Sequence, residues 1–151
     1  MVTVIGCGNI LAGDDGIGVY LVRELNRTGL PAGVSVIEAG TPGLNFLDVI
    51  SDKDKVIIVD AVKSVQKGRV FWMKEDGLLK EDKNFLSLHG IGLSDALRLG
   101  RKAEPEMMPG EVWIFGVGIE TAQSNLGLSP ELKKLLPRLT TELVQKIKDV
   151  A

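Results

Sequence analysis

Five short runs dense in Val and Ile constrain this chain more than any other feature: Val2–Ile5, Val34–Glu38, Lys55–Ala61, Arg69–Lys74 and Glu111–Val117. Strict polar–apolar alternation is scarce in them. A strand with one wet face alternates, whereas a strand covered on both faces does not. The runs therefore predict a sheet buried between two layers. The segments between them read as helices. Ile17, Leu21, Val22 and Leu25 recur at helical spacing, and the pattern stops before Gly29. A short second helix fits "LNFLDVI" and a third fits "GLSDALRLG". Ser129 as N-cap and Pro130 at the first helical position open the last helix. Leu132, Leu135, Leu136, Leu139, Leu143 and Ile147 line one face of it, and Pro137 predicts a kink or a later start.

The link "VKSVQKG" is too short for a helical crossover, so the fourth run is expected antiparallel to the third, at the sheet edge. Elsewhere strand and helix alternate. The expected fold is a three-layer α/β/α domain, with a mostly parallel five-stranded sheet and one antiparallel edge strand. Ligand chemistry is expected at the carboxyl ends of the strands. At 151 residues, a single domain over 1–151 is expected.

Charge and composition narrow the functional classes. A net charge of −2 offers no basic footprint for nucleic acid or an anionic membrane surface. No apolar run reaches bilayer length, and no basic segment followed by a long apolar stretch opens the chain. One cysteine, Cys7, allows neither an internal disulfide nor a multi-thiolate metal site. A cytoplasmic protein is expected, with no nucleic-acid or membrane partner.

The segment "GCGNILAGDDGIG", Gly6 to Gly18, follows the first run. A dinucleotide site would use Gly6 and Gly8, with Glu38 reading a ribose. However, Leu11 stands where the third glycine is needed, and Asp14 and Asp15 oppose a pyrophosphate at the helix start. Carboxylates at the mouth of a sheet suit a cation better. Asp60 ends "KVIIVD" and should project from the carboxyl edge. His89, the only histidine, lies in "SLHGIG" before the third helix. One imidazole and two carboxylates from three segments suit a borderline divalent metal with open positions.

Simpler roles exist for each. Asp14 or Asp15 can cap the first helix, Asp60 can bind turn amides, and His89 can be an ordinary loop histidine. Cys7 reads as a small buried residue in the turn. Leu11, Leu44 and Phe46 serve either partner docking or the core.

The run "GCGNILAGDDGIG" is similar to the N-terminal motif of the hydrogenase maturation endopeptidases, nickel-dependent proteases that trim the large subunit of [NiFe] hydrogenases. The likeness continues through "EAGTPG", "IIVDA", "SLHGIGLSDAL", "FGVGIE" and "GLSPEL", in order and across nearly the whole chain. It implies that Asp15, Asp60 and His89 are both the metal ligands and the catalytic residues, and it selects Asp15 over Asp14. Glu38 departs from the aspartate often found at that place. The resemblance further implies a precursor substrate that arrives with its nickel loaded and loses a C-terminal extension. Asp15 or Asp60 would act as base, or the nickel would serve recognition alone. No "GxSxG" elbow is present, and a cysteine mechanism would have to use Cys7. A non-enzymatic metal-dependent binding module and a nucleotide-binding α/β protein are the alternatives. Peptidyl-tRNA hydrolases have a similar glycine–asparagine turn, but the charge and the paired aspartates oppose a tRNA substrate.

Overall fold

The computed structural model describes residues 1–41, 43, 45–80, 92–120 and 126–151. Its elements run β1 (Val2–Cys7), α1 (Ile17–Thr28), β2 (Val34–Gly40), α2 (Phe46–Ile50), β3 (Lys55–Lys63), β4 (Val70–Lys74), α3 (Glu75–Lys80), α4 (Leu93–Ala103), β5 (Glu111–Ile119) and α5 (Pro130–Val150). Short 3₁₀ segments occupy Ile10–Gly16 and Pro105–Met107. The five strands form one sheet in the order β2-β1-β3-β5-β4. Neighbours pair in parallel except β4, which runs antiparallel to β5 at the edge.

The expected three-layer α/β/α arrangement is present. Val2, Val4, Ile57, Val59, Phe115 and Val117 face α1 and α5. Ile5, Val56, Ile58, Val112 and Ile114, on the other pleat, face α2, α3 and α4. Both pleats are buried, which is why the strands read as continuous apolar runs. In α1 the predicted stripe of Ile17, Leu21, Val22 and Leu25 is at most 1% exposed. Each such side chain contributes about 2 kcal/mol of burial.

Three features differ from the sequence expectation. First, β4 has the expected direction and edge position, but β5 lies between it and β3. A short link dictates orientation, not adjacency. Crossing two strand spacings, about 10 Å, is within reach of residues 64–69. That loop is tied over the end of β5: Ser64 N–H donates to Ile119 O (2.9 Å) and Gly68 N–H to Gly118 O (2.7 Å).

Second, α3 was not expected. It is one and a half turns long and contains Gly77, a poor helix former; its only signal is the acidic pair Glu75 and Asp76 in the first turn. Third, α5 starts where Ser129 and Pro130 predict and continues unbroken through Pro137. Pro137 and Lys133, whose carbonyl loses its helical donor, are both exposed, so water can satisfy that oxygen. The N-cap stands as read: Ser129 Oγ accepts from Leu132 N–H at 3.4 Å.

Candidate active site

The position of the site follows from topology. From β1 the chain passes through α1 to β2 on one side, then through α2 to β3 on the other, with α1 and α2 on opposite faces. The strand order therefore reverses between β1 and β3, and the crevice outside their carboxyl ends is where such folds bind ligands. Cys7 and Asp60 lie at that place, one residue beyond the paired Gly6 and Val59.

The glycines of the first motif serve close packing. Gly8 has φ 129°, and a Cβ there would strike the carbonyl of Asp15. At Gly18 a Cβ would strike the backbone carbonyls of Cys7 and Val59, so α1 seats directly on β1 and β3. Between them the chain makes a tight 3₁₀ turn. Asn9 opens it, with its side-chain oxygen accepting from Leu11 N–H at 2.9 Å.

The two aspartates inside this turn are buried, and neither caps α1. The N-cap position of that helix is Gly16, which offers no side chain. Asp15 folds back, its Oδ2 accepting from Asn9 N–H at 2.9 Å. Asp14 instead reaches α5, where its Oδ1 accepts from Ser129 N–H at 2.7 Å. Lys67 Nζ lies 3.3 Å from Asp14 Oδ2. With Gly16 at the N-cap position, Asp15 is spent inside the turn on Asn9 and Asp14 on partners far along the chain.

Asp60 does not end its strand. β3 runs three residues further, to Lys63, paired with β5 as far as Ile119. Asp60 is only 3% exposed, and its Oδ1 accepts from Ala61 N–H at 2.8 Å. The amide-binding role expected of it in a turn is thus played within the strand. By alternation with Val56 and Ile58, its side chain belongs to the α2–α4 face. It shares a small cavity with Leu78, Leu93, Ser94 and Ile114.

Cys7 is fully buried on the same face, as the last residue of β1. Burial, and secondarily the negative charge of Asp60, push its thiol pKa well above the usual value. That keeps it protonated, which is wrong for a nucleophile. Glu38 belongs to the other face, with Val34 and Val36, and forms a two-pronged pair with Arg23 of α1 at 2.7 and 3.2 Å. The hydrogen-bonded guanidinium holds its carboxyl below the ordinary range. Of the apolar residues read as docking or core, Leu11 is 67% exposed and Phe46 belongs to the core. Leu44 and His89 lie outside the described residues. Among the described residues no three His, Cys, Asp or Glu side chains gather closely enough to hold a metal ion. Sequence reasoning missed Lys67, which carries no local signal, since its partners are far away in the chain.

Comparison with known proteins agrees with this architecture. The family model for hydrogenase maturation proteases (HycI) matches residues 19–146. Protein FrxA of Pyrococcus furiosus is 34% identical over 136 residues, covering 89% of this chain and 96% of that protein. A putative hydrogenase maturation protease of Methanocaldococcus jannaschii is 32% identical, covering 97% and 96%. Among solved structures, the hydrogenase maturating endopeptidase HybD from Escherichia coli superposes with a TM-score of 0.83 at 27% identity, covering 99% of this chain and 93% of that one. With the family model matching most of the chain and a relative 32% identical over nearly all of it, the chain belongs to the hydrogenase maturation protease family and is by that membership a peptidase.

Proposed function

We propose that the protein removes the C-terminal extension of a [NiFe] hydrogenase large-subunit precursor that already carries its nickel, with Asp15, Asp60 and His89 as the residues that meet the metal and the scissile bond. The observation that carries this reading is the burial of Asp15 and Asp60, both 3% exposed, around the crevice between β1 and β3. Each carboxylate is oriented through one oxygen by a backbone N–H, from Asn9 and Ala61 respectively. Leu93 and Ser94, which follow closely on His89 in the sequence, line the cavity at Asp60.

Two carboxylates and an imidazole suit a borderline divalent ion. The described residues alone fall short of a three-ligand cluster, so the reading needs His89 and the precursor's own donors. The nickel in this proposal belongs to the precursor, as substrate cargo. A divalent ion so placed supplies a Lewis acid beside the scissile carbonyl. The chain's part is to hold two carboxylates in fixed orientation, one of them able to take a proton from the attacking water. Cys7, buried and protonated, takes no part.

The test is incubation of the protein with nickel-loaded and metal-free precursor, beside a His89→Ala variant, read by intact mass. Loss of one defined C-terminal peptide only with nickel and with His89 is expected. Cleavage that ignores both nickel and His89 would overturn the role given to this trio.

A further inference from the structure

We infer that Asp14 is a positioning residue for Asp15, with Lys67 as its counter-charge; this rests on the reading that Asp15 belongs to the active site. Asp14 is 1% exposed and stands one residue before the proposed catalytic carboxylate. Its Oδ1 accepts the N–H of Ser129, the N-cap of α5, across 115 residues of sequence. The positive end of a long helix favours a carboxylate there. Its Oδ2 has no hydrogen bond among the described residues, and Lys67 Nζ, 3.3 Å away, is the charge that offsets it. Lys67 is held in turn: its side chain is 20% exposed, and Nζ lies 3.4 Å from Ser129 Oγ and 3.8 Å from Glu131.

Three segments meet at this carboxylate: the glycine-rich turn, the loop of residues 64–69, and the start of α5. The turn is closed on itself by the N–H groups of Leu11 and Ala12, which donate to Asn9, and Asp14 adds the tie that anchors it to α5. Asp15 is therefore fixed from two sides. Its own Oδ2 accepts from Asn9 N–H, and the preceding residue is tied to α5. A shift of about 1 Å in a reacting group costs on the order of 10²-fold in rate.

The variants are Asp14→Asn, Lys67→Gln, Lys67→Arg and the double Asp14→Asn/Lys67→Gln. Lys67→Gln leaves the buried Asp14 carboxylate without its counter-charge, and Asp14→Asn leaves the half-buried Lys67 with only the exposed Glu131; the double change replaces both by amides able to bond each other. Expected in precursor cleavage is a fall in kcat of about 10²-fold for each neutralising single at nearly constant KM. The double variant should recover to within about tenfold of the wild type, and Lys67→Arg should keep its kcat. A second readout needs no activity. Hydrogen exchange at the Asn9 amide, which reports the bond to Asp15, should quicken about tenfold or more in the singles and slow again in the double. If Asp14→Asn fails to fold, Lys67→Gln and Lys67→Arg carry both readouts. Unchanged Asn9 exchange and kcat in the neutralising singles, or a double variant no better than they are, would sink the inference. A wild type that leaves a competent precursor uncut would strike the proposed function instead, and the Asn9 exchange would still decide the role of Asp14.

Discussion

Cys7, the last residue of β1, and Asp60, three residues short of the end of β3, stand side by side on one face of the sheet, and the carboxylate's charge adds to burial in keeping the thiol protonated. A group that holds its proton more tightly in the folded chain stabilises the fold below its unfolded pKa. That stability drains away as pH rises above it, here from about 8.5 upward. Thermal unfolding of wild type and Cys7→Ser between pH 7 and 10 should show this alkaline loss in the wild type alone. The same variant should cleave precursor within about threefold of the wild-type rate, because the thiol has no chemical step to perform.

Asp15→Asn and Asp60→Asn retain an oxygen to accept from Asn9 and Ala61 and should stay folded. Removing the charge should lower cleavage by about 10²-fold or more, the usual worth of a placed acid–base group. Single-turnover cleavage beside circular dichroism separates the two effects; a wild-type rate in either variant would remove that residue from the site.

Glu38 and Asp60 lie on opposite faces of the sheet, and Glu38 is occupied by Arg23. Glu38→Gln should therefore leave cleavage within about twofold. The pair is half exposed, so its removal should cost less than about 1 kcal/mol. Because the folded-state pKa of Glu38 is depressed, its contribution is present above about pH 4.3 and is lost as pH falls through the lower folded value. Acid unfolding should consequently be less steep in the variant than in the wild type.

Gly18→Ala tests the seating of α1. The added methyl meets two backbone carbonyls, of Cys7 and Val59, and backbone at the centre of a sheet yields little. A loss of about 3 kcal/mol in urea-unfolding free energy is expected, with cleavage falling as the turn holding Asp15 shifts.

Arg101→Met probes the far end of the sheet. Arg101 reaches Glu75 through both Nε and Nη2, the closest contact being 2.8 Å, and also donates to Pro109 O. Glu75 is largely buried, so stranding its carboxylate should cost about 2 kcal/mol. The cleavage rate of the folded variant should not change, since this pair is remote from the crevice.

What could be read along the chain was local and periodic. Two-sided burial writes itself into a strand as an unbroken apolar run, and a buried helix face recurs at every third or fourth residue, so β1 to β5, α1, α2, α4 and α5 were legible. The pair Asp14 and Asp15, and Asp60, were legible as candidates because carboxylates in a glycine-rich turn and in an apolar strand oppose local expectation; only the family resemblance singled out Asp15. Tertiary structure decided what depends on contacts between distant segments. It put β5 between β3 and β4, because loop 64–69 bonds across the end of β5. It gave Asp14 to Ser129 and Lys67, and Asp15 to Asn9, two partnerships that neighbouring identical residues cannot announce. It also turned Glu38 and Asp60 to opposite faces, since alternation along a strand sorts its residues into two sets but only packing says which helices each set meets.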